Sequence, residues 1–343
     1  GMVAPLYESV PPRCYGGVER VVAYLVEDLI NQGHQVTLFA SGDSKTSAIL
    51  SSSCPQSLRL SNRFGVTQVY ESLMIEQVIQ HQGDFDIIHF HTDAFHLPVA
   101  RRLKCPSITT VHKNLHPKWM RELYTEFKDL PLVFISDAQR RAILESIAIK
   151  RNRIIYPGLP KDLYSFEGQP GSYLVFLGRI APFKGVHTAI EIATRVGANL
   201  VIAAKYDVRY DEYYRRIVKP LIMQSNVRET GEIDDKQKQM ILGSAQALLF
   251  PIDWAEPFGL VIIEAMACGT PVIAFGRGAV PEIIDNGVTG FVVQDIEEAV
   301  NVVEQLTPAM RFECRKVFEQ RFLSDYMAKQ YVDFYQDIIN APS

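Results

Sequence analysis

Twice along this chain, short apolar runs alternate with longer stretches of helical periodicity, and that alternation restricts the fold more than any other feature. In the first half, Val36 to Ala40 and the runs at 86 to 90, 106 to 111 and 132 to 135 read as buried strands, being short and rich in apolar and β-branched residues. Between them, Val18, Val21, Val22, Leu25, Val26 and Leu29 recur with helical spacing until Gly33 ends the helix, and further helical stretches lie near 65 to 82, 94 to 103 and 137 to 147. Met2 to Leu6 supplies a first strand and Ile154 to Tyr156 a last one. Such repetition builds a parallel sheet covered by helices on both faces.

A second alternation begins after Pro157 to Gly171, a segment so punctuated by proline and glycine that it reads as a linker. Strands are expected at Tyr173 to Leu177, Leu200 to Ala204, Ala247 to Phe250 and Pro271 to Phe275, with helices near 185 to 196, 209 to 224, 234 to 243 and 257 to 268. At 343 residues the chain exceeds the roughly 250 to 300 that one core holds, so two doubly wound Rossmann-like α/β domains are expected. The first spans residues 1 to 160 and the second 161 to 324. Tyr326, Met327, Tyr331, Phe334, Tyr335 and Ile338 give the tail an apolar face, so a helix over about 325 to 343 is expected to return to the first domain.

Composition narrows the functional classes. No apolar run reaches the ~18 residues of a membrane span, and no basic start precedes an apolar stretch as in a signal peptide, which points to a cytoplasmic protein. The five cysteines are scattered without the close pairs of a zinc or redox motif, so they read as reduced structural thiols. A net charge of −4 provides no global field for nucleic acid, although Arg140, Arg141, Lys150, Arg151 and Arg153 lie close in sequence.

Ligands of open α/β sheets gather at the carboxyl ends of strands, and there this sequence changes character. Gly178-Arg179 closes the first strand of the second half, Lys184-Gly185 opens the next helix, and Glu256-Pro257-Phe258-Gly259-Leu260 follows the strand at 247 to 250. Glu264 lies eight residues beyond Glu256. The two carboxylates bracket the free N–H groups of a helix start, a pairing that can hold sugar hydroxyls and a phosphate together. Arg179 offers a planar fork of donors and Lys184 a compact charge for that phosphate; the plainer reading makes both solvated loop charges. Glu264 sits in an almost wholly apolar helix, so it is expected to be buried and to need partners. Those partners are either the hydroxyl pair of a ribose or neighbouring backbone.

Gly276 to Glu282 matches only the first half of a dinucleotide fingerprint, with Pro281 in place of the third glycine, and no Gly-x-x-x-x-Gly-Lys-Ser/Thr occurs. Neither a nicotinamide site nor an ATP-splitting P-loop is supported. His89 and His91 alternate at a strand end and are read as facing opposite sides, one of them in the core. His91 and His112 each end a strand and can reach a ligand there, or serve as ordinary hydrogen-bonding residues. No acidic arrangement near them amounts to a metal site. The stretch from His112 to Arg121 mixes cations with Trp119, which suits a peripheral membrane contact or an acceptor-binding loop as well as an ordinary exposed loop and helix start.

Taken together, Gly16-Gly17-Val18-Glu19-Arg20, Gly33-His34-Gln35-Val36, Asp86 to His91, Gly178-Arg179 with Lys184-Gly185, the Glu256/Glu264 pair and Gly269-Thr270-Pro271-Val272 resemble, in order, the motifs of the retaining glycosyltransferases of family 4, the group 1 transferases. The resemblance covers nearly the whole chain. It implies a GT-B fold, two Rossmann-like domains facing a cleft, with the acceptor on the first domain and a UDP-, GDP- or ADP-sugar on the second, without cofactor or essential metal. It further implies that Arg179 and Lys184 hold the diphosphate, that Glu256 and the amides of Phe258, Gly259 and Leu260 hold the donor sugar and phosphate, and that Glu264 holds the ribose. Backbone near Gly231 and Ile233 would meet the base, Gly17 would approach the diphosphate, His112 would sit beside the sugar, and Gly16, His91 and Lys113 would lie on the acceptor side. The acceptor class is a polysaccharide, a glycolipid or a small glycoside.

The sequence departs from the family in its first strand, where only Met2 to Leu6 precedes the Gly-Gly loop and Gly1 reads as a remnant. A second reading follows, a catalytically silent nucleotide-sugar binder whose truncated first strand weakens the sheet. A sugar phosphorylase would need a lysine suited to pyridoxal, and an epimerase a carboxylate and histidine set; neither is visible.

Overall fold

The structure, a computed structural model, describes residues 1–61, 64–115, 118–169 and 171–341. It divides into two compact units: Gly1–Gly158 together with the chain from Ser324 onward, and Leu159–Leu323.

The first unit is built on a seven-stranded sheet of β1 (Met2–Val3), β2 (Thr37–Ala40), β3 (Ile49–Ser52), β4 (Ile88–Phe90), β5 (Ser107–Val111), β6 (Leu132–Phe134) and β7 (Asn152–Ile154). Their order is β3-β2-β1-β4-β5-β6-β7 and the pairings are parallel. β4, β5 and β6 are buried along their whole length, which is why they appear in the sequence as apolar runs and not as alternating patterns. β3 is a half-exposed edge strand carrying two serines, and that polarity hid it from sequence reading.

Although β1 is short, it sits at the centre of the sheet. Met2 and Val3 are matched to Leu38 and Phe39 on one side and to His89 and Phe90 on the other. Beyond the ladder, Ala4 N–H donates to Phe39 O at 3.0 Å and His91 N–H to Val3 O at 2.9 Å. Two paired residues therefore suffice to keep the sheet continuous beneath the loop that leads to Gly16. That loop ends in the helix Gly17–Asn31, whose apolar stripe is buried. The tail forms the helix Ser324–Ile339 and buries Met327, Tyr331, Phe334 and Tyr335 within this first unit.

The second unit carries β8 (Tyr173–Arg179), β9 (Asn199–Lys205), β10 (Val227–Glu229), β11 (Ala247–Phe250), β12 (Val272–Phe275) and β13 (Gly290–Val293), again parallel, in the order β10-β9-β8-β11-β12-β13. In each sheet the direction of winding reverses once, between β1 and β4 and between β8 and β11. Such switch points open a crevice at the carboxyl ends of the strands.

The proline- and glycine-rich segment is not a linker throughout. From Leu159 it belongs to the second unit, with Leu159 and Tyr164 buried. Two arginines of the helix Pro308–Arg321 tie it down. Arg311, 1% exposed, donates to the carbonyls of Glu167, Ala245 and Gly243, and Arg315 donates to those of Tyr164, Lys161 and Ala267. Punctuation marked the irregular backbone correctly, but only side chains some 150 residues away order it. Pro170 lies outside the described residues.

Candidate active site

In the second unit, the switch point gathers the charged residues singled out by sequence. Arg179 is the last residue of β8, and Lys184 ends the short turn Pro182–Lys184 that follows. Gly185 comes next with φ 75°, and a Cβ there would lie 1.9 Å from Pro251 O. Only glycine permits this approach. It presses the turn against the loop that leaves β11, where Asp253 N–H donates to Phe183 O at 2.9 Å.

Lys184 is thereby brought to Glu256. Its Nζ donates to Glu256 Oε2 at 2.6 Å, and Trp254 Nε1 donates to the same oxygen at 2.8 Å. The ammonium also lies 4.7 Å from the Trp254 ring centroid, a cation–π contact. The backbone of Glu256 is fixed in turn by the loop after β12: Ala279 N–H donates to Glu256 O at 2.9 Å, and a Cβ on Gly278, whose φ is 60°, would lie 2.3 Å from that oxygen. Gly278 of the partial fingerprint thus allows backbone contact with Glu256. Arg179 meets the carboxylate of Asp207 at 3.4 Å, and Arg209 meets the same group at 2.6 Å. Hydrogen bonding from Arg209 first, and the nearby charges, hold that carboxyl well below the usual carboxylate range.

Phe258 and Gly259 are buried just ahead of the helix Leu260–Ala267, and no side chain caps that helix start. Glu264 lies inside the helix, 4% exposed. Its side-chain partner within the protein is a lysine that sequence reading did not anticipate. Lys238 Nζ, from the helix Asp235–Gly243, donates to Glu264 Oε1 at 2.6 Å and lies 3.5 Å from Asp235 Oδ1. Gly231 and Ile233 lie just ahead of that helix, Gly231 with φ 77° and Ile233 buried.

In the first unit, His91 follows β4 and His112 follows β5, and the two rings meet with Nδ1 of His91 2.8 Å from Nε2 of His112. Burial pushes His112 down to about 3, assisted by Lys113, and holds His91 well below the ordinary histidine range. Both are therefore neutral at physiological pH. His89 and His91 do not face opposite sides. Residues two apart on a strand share a face, and these rings lie 4.0 Å apart. Phe90 takes the other face and stacks on His96 at 4.4 Å. His89 is spoken for: Tyr335 and Thr110 each lie 2.7 Å from one of its ring nitrogens, so it anchors the returning helix. Lys113 pairs with Asp93 on the surface. Gly16 and Gly17 occupy the N-cap and first turn of the helix Gly17–Asn31, beside the buried Glu19, whose carboxyl burial raises to about 7.

The model of the glycosyl transferases group 1 matches residues 166–311, and that of glycosyltransferase family 4 matches residues 15–163. The chain is a GT-B glycosyltransferase of family 4. It is 22% identical to the O-antigen chain mannosyltransferase C of Escherichia coli, covering 99% of this chain and 100% of that protein. It is 25% identical to the phosphatidyl-myo-inositol mannosyltransferase of Mycobacterium leprae, covering 85% and 82%. Among solved structures, Anabaena HepE in complex with UDP and glucose superposes with a TM-score of 0.78 at 17% identity, over 98% of both chains.

Within this glycosyltransferase, sequence reasoning missed Trp254, Lys238 and Asp207. Trp254 carried a signal, since it stands two residues before Glu256. Lys238 and Asp207 carried none, because the site residues that they meet, Glu264 and Arg179, lie 26 and 28 residues away on other elements. Among the described residues no group of three or more His, Cys, Asp or Glu could hold a metal ion, and no helix is long and apolar enough to cross a membrane. Of the segment from His112 to Arg121, His116 and Pro117 lie outside the described residues. Trp119 is 62% exposed at the start of the helix Lys118–Glu126.

Proposed function

We propose that this glycosyltransferase moves a hexose from a nucleoside-diphosphate sugar to a hydroxyl acceptor with retention of anomeric configuration, and that the donor is held at the switch point of the second unit. The observation that carries this reading is the convergence of Lys184 and Trp254 on one oxygen of Glu256, beside an uncapped helix start. Arg179 and Lys184 neutralise the diphosphate, which removes the need for a metal ion. Glu256, with the amides of Phe258, Gly259 and Leu260, holds the sugar and the phosphate next to it. Glu264 accepts from the ribose hydroxyls, and backbone at Gly231 and Ile233 meets the base. In the first unit, Gly16, Gly17, His91, His112 and Lys113 serve the acceptor and the transferred sugar.

As the bond from the anomeric carbon to phosphate breaks, negative charge grows on the departing diphosphate, and fixed cations and amides stabilise that charge most where it is largest. The acceptor hydroxyl attacks from the same face, and a phosphate oxygen of the leaving group takes its proton. Intact Arg179, Lys184, Glu256 and Glu264 favour transfer over silent binding. The mannosyltransferase relatives, and a neighbour bound to UDP and glucose, support a hexose donor of this class. A lipid-linked acceptor fits the exposed Trp119 beside Lys118 and Arg121, with the enzyme in the cytoplasm touching a membrane peripherally.

Thermal shift against UDP, GDP and ADP tests the donor site, since ligand at about 100 times its dissociation constant stabilises by ~2.7 kcal/mol. One of the three is expected to raise Tm, and no shift with any of them counts against the proposal. Inversion at the anomeric carbon of the product would overturn the mechanism, and loss of activity in EDTA would overturn metal independence.

A further inference from the structure

We infer that Lys238 is a positioning residue of the nucleotide subsite: it orients the buried carboxylate of Glu264 for a ribose diol. The inference rests on the reading of Glu264 given above and adds to it a residue that no sequence motif marks. Lys238 Nζ donates to Glu264 Oε1 at 2.6 Å, with the two side chains 8% and 5% exposed. A carboxylate so buried needs a counter-charge and hydrogen bonds to offset its desolvation. The two carboxylate oxygens accept hydrogen bonds and suit two hydroxyl donors.

Lys238 is itself held in place. Its Nζ lies 3.5 Å from Asp235 Oδ1, and Tyr164 O–H donates to that oxygen at 3.0 Å. The ammonium also stands 5.9 Å from the Tyr164 ring centroid. A capping box of Asp234 and Gln237 fixes the start of its helix. The same helix follows directly on Gly231 and Ile233, so the residue that sets Glu264 is borne by the element whose approach meets the base. Ribose and base recognition are thereby coupled through one helix.

The test is calorimetric binding of UDP, GDP and ADP, and of their 2′-deoxy and 3′-deoxy forms, to wild type, Lys238→Met, Glu264→Gln and the double variant. Lys238→Met is expected to weaken binding of the ribonucleotide about ten-fold or more, the scale of one hydrogen bond to a charged group, and to leave the deoxy forms nearly unaffected. The double variant is expected to bind no worse than Glu264→Gln alone. If Lys238→Met unfolds, the comparison of Glu264→Gln with the double variant remains, because an apolar replacement facing a neutral amide leaves no buried charge. A folded Lys238→Met that binds the ribonucleotide within about two-fold of wild type, or additive losses in the double variant, overturns the inference. Wild type that binds ribose and deoxyribose forms equally overturns the role of Glu264 instead.

Discussion

Lys184 and Glu256 stand 72 residues apart, yet Nζ of one donates to Oε2 of the other at 2.6 Å, because Gly185 lets the turn after β8 press on the loop after β11. The pair is 14% and 11% exposed, so it is largely shielded from salt and solvent. Their contact joins the two strands that flank the switch point of the second sheet.

Lys184→Met removes a fixed cation from the position where leaving-group charge develops. Its kcat/KM is expected to fall about hundred-fold or more. Steady-state rates with the donor identified by thermal shift decide this, and a loss below about three-fold would remove Lys184 from the diphosphate site.

Gly185→Ala places a methyl group 1.9 Å from Pro251 O at a φ of 75°. Left-handed backbone alone costs a non-glycine residue roughly 1 to 2 kcal/mol, and the clash adds to that. Gly178→Ala is the control, since its Cβ meets nothing nearer than Phe176 at 3.7 Å. Chemical denaturation should show the first variant destabilised by about 2 kcal/mol or more and the second by clearly less.

Glu19 is raised from 4.5 to about 7, chiefly by burial. The folded protein therefore binds this proton more tightly than the unfolded chain does. The resulting stability is fully present below pH 4.5 and is lost as pH rises through about 7, in total about 3 kcal/mol. Glu19→Gln removes that dependence. The difference in unfolding free energy between variant and wild type should move in favour of the variant from pH 5 to pH 8, and a constant difference would refute the assignment.

The histidines act with the opposite sign. Burial pushes His96 and His112 down to about 3, so the stability they contribute is complete above pH 6.5 and is lost as pH falls towards 3. His96 bridges Thr92 and Thr109 at 2.9 and 2.8 Å. His96→Gln should soften acid unfolding between pH 6 and 4, as read from circular dichroism, while lowering stability at pH 8 through the altered hydrogen bonds.

Arg311→Met leaves the carbonyls of Glu167, Ala245 and Gly243 without their donor. Unsatisfied buried acceptors cost about 1 kcal/mol or more each, so a loss of about 3 kcal/mol is expected. Hydrogen exchange should locate the effect in Leu159–Leu323, and uniform loss across the whole chain would contradict it.

The elements legible in the sequence are those whose burial is uniform. β4, β5 and β11 are enclosed on both faces, and their apolar runs gave them away within a residue or two. β3, β10 and β13 were missed: the first two are polar edge strands, and β13 opens on Gly290 directly after the turn at Gly287, a stretch that resembles a loop. Likewise the helices Ile296–Val303 and Pro308–Arg321 escaped, the last because its buried face includes Arg311 and Cys314. His89 and His91 were assigned opposite faces against the two-residue period of a strand, an error that their ring contact corrects.

The sequence by itself determined the two α/β alternations, the positions of Arg179, Lys184, Glu256 and Glu264 at strand ends and helix starts, and the family to which those motifs belong. Local periodicity and turn chemistry act over a few residues, so they are written in consecutive positions. The tertiary structure alone decided that Lys184 meets Glu256, that Lys238 meets Glu264, and that His91 meets His112. Each of those contacts joins side chains from different elements across a switch point or a buried interface. Which charges end up within hydrogen-bonding reach depends on how helices and strands pack, and no spacing along the chain records that.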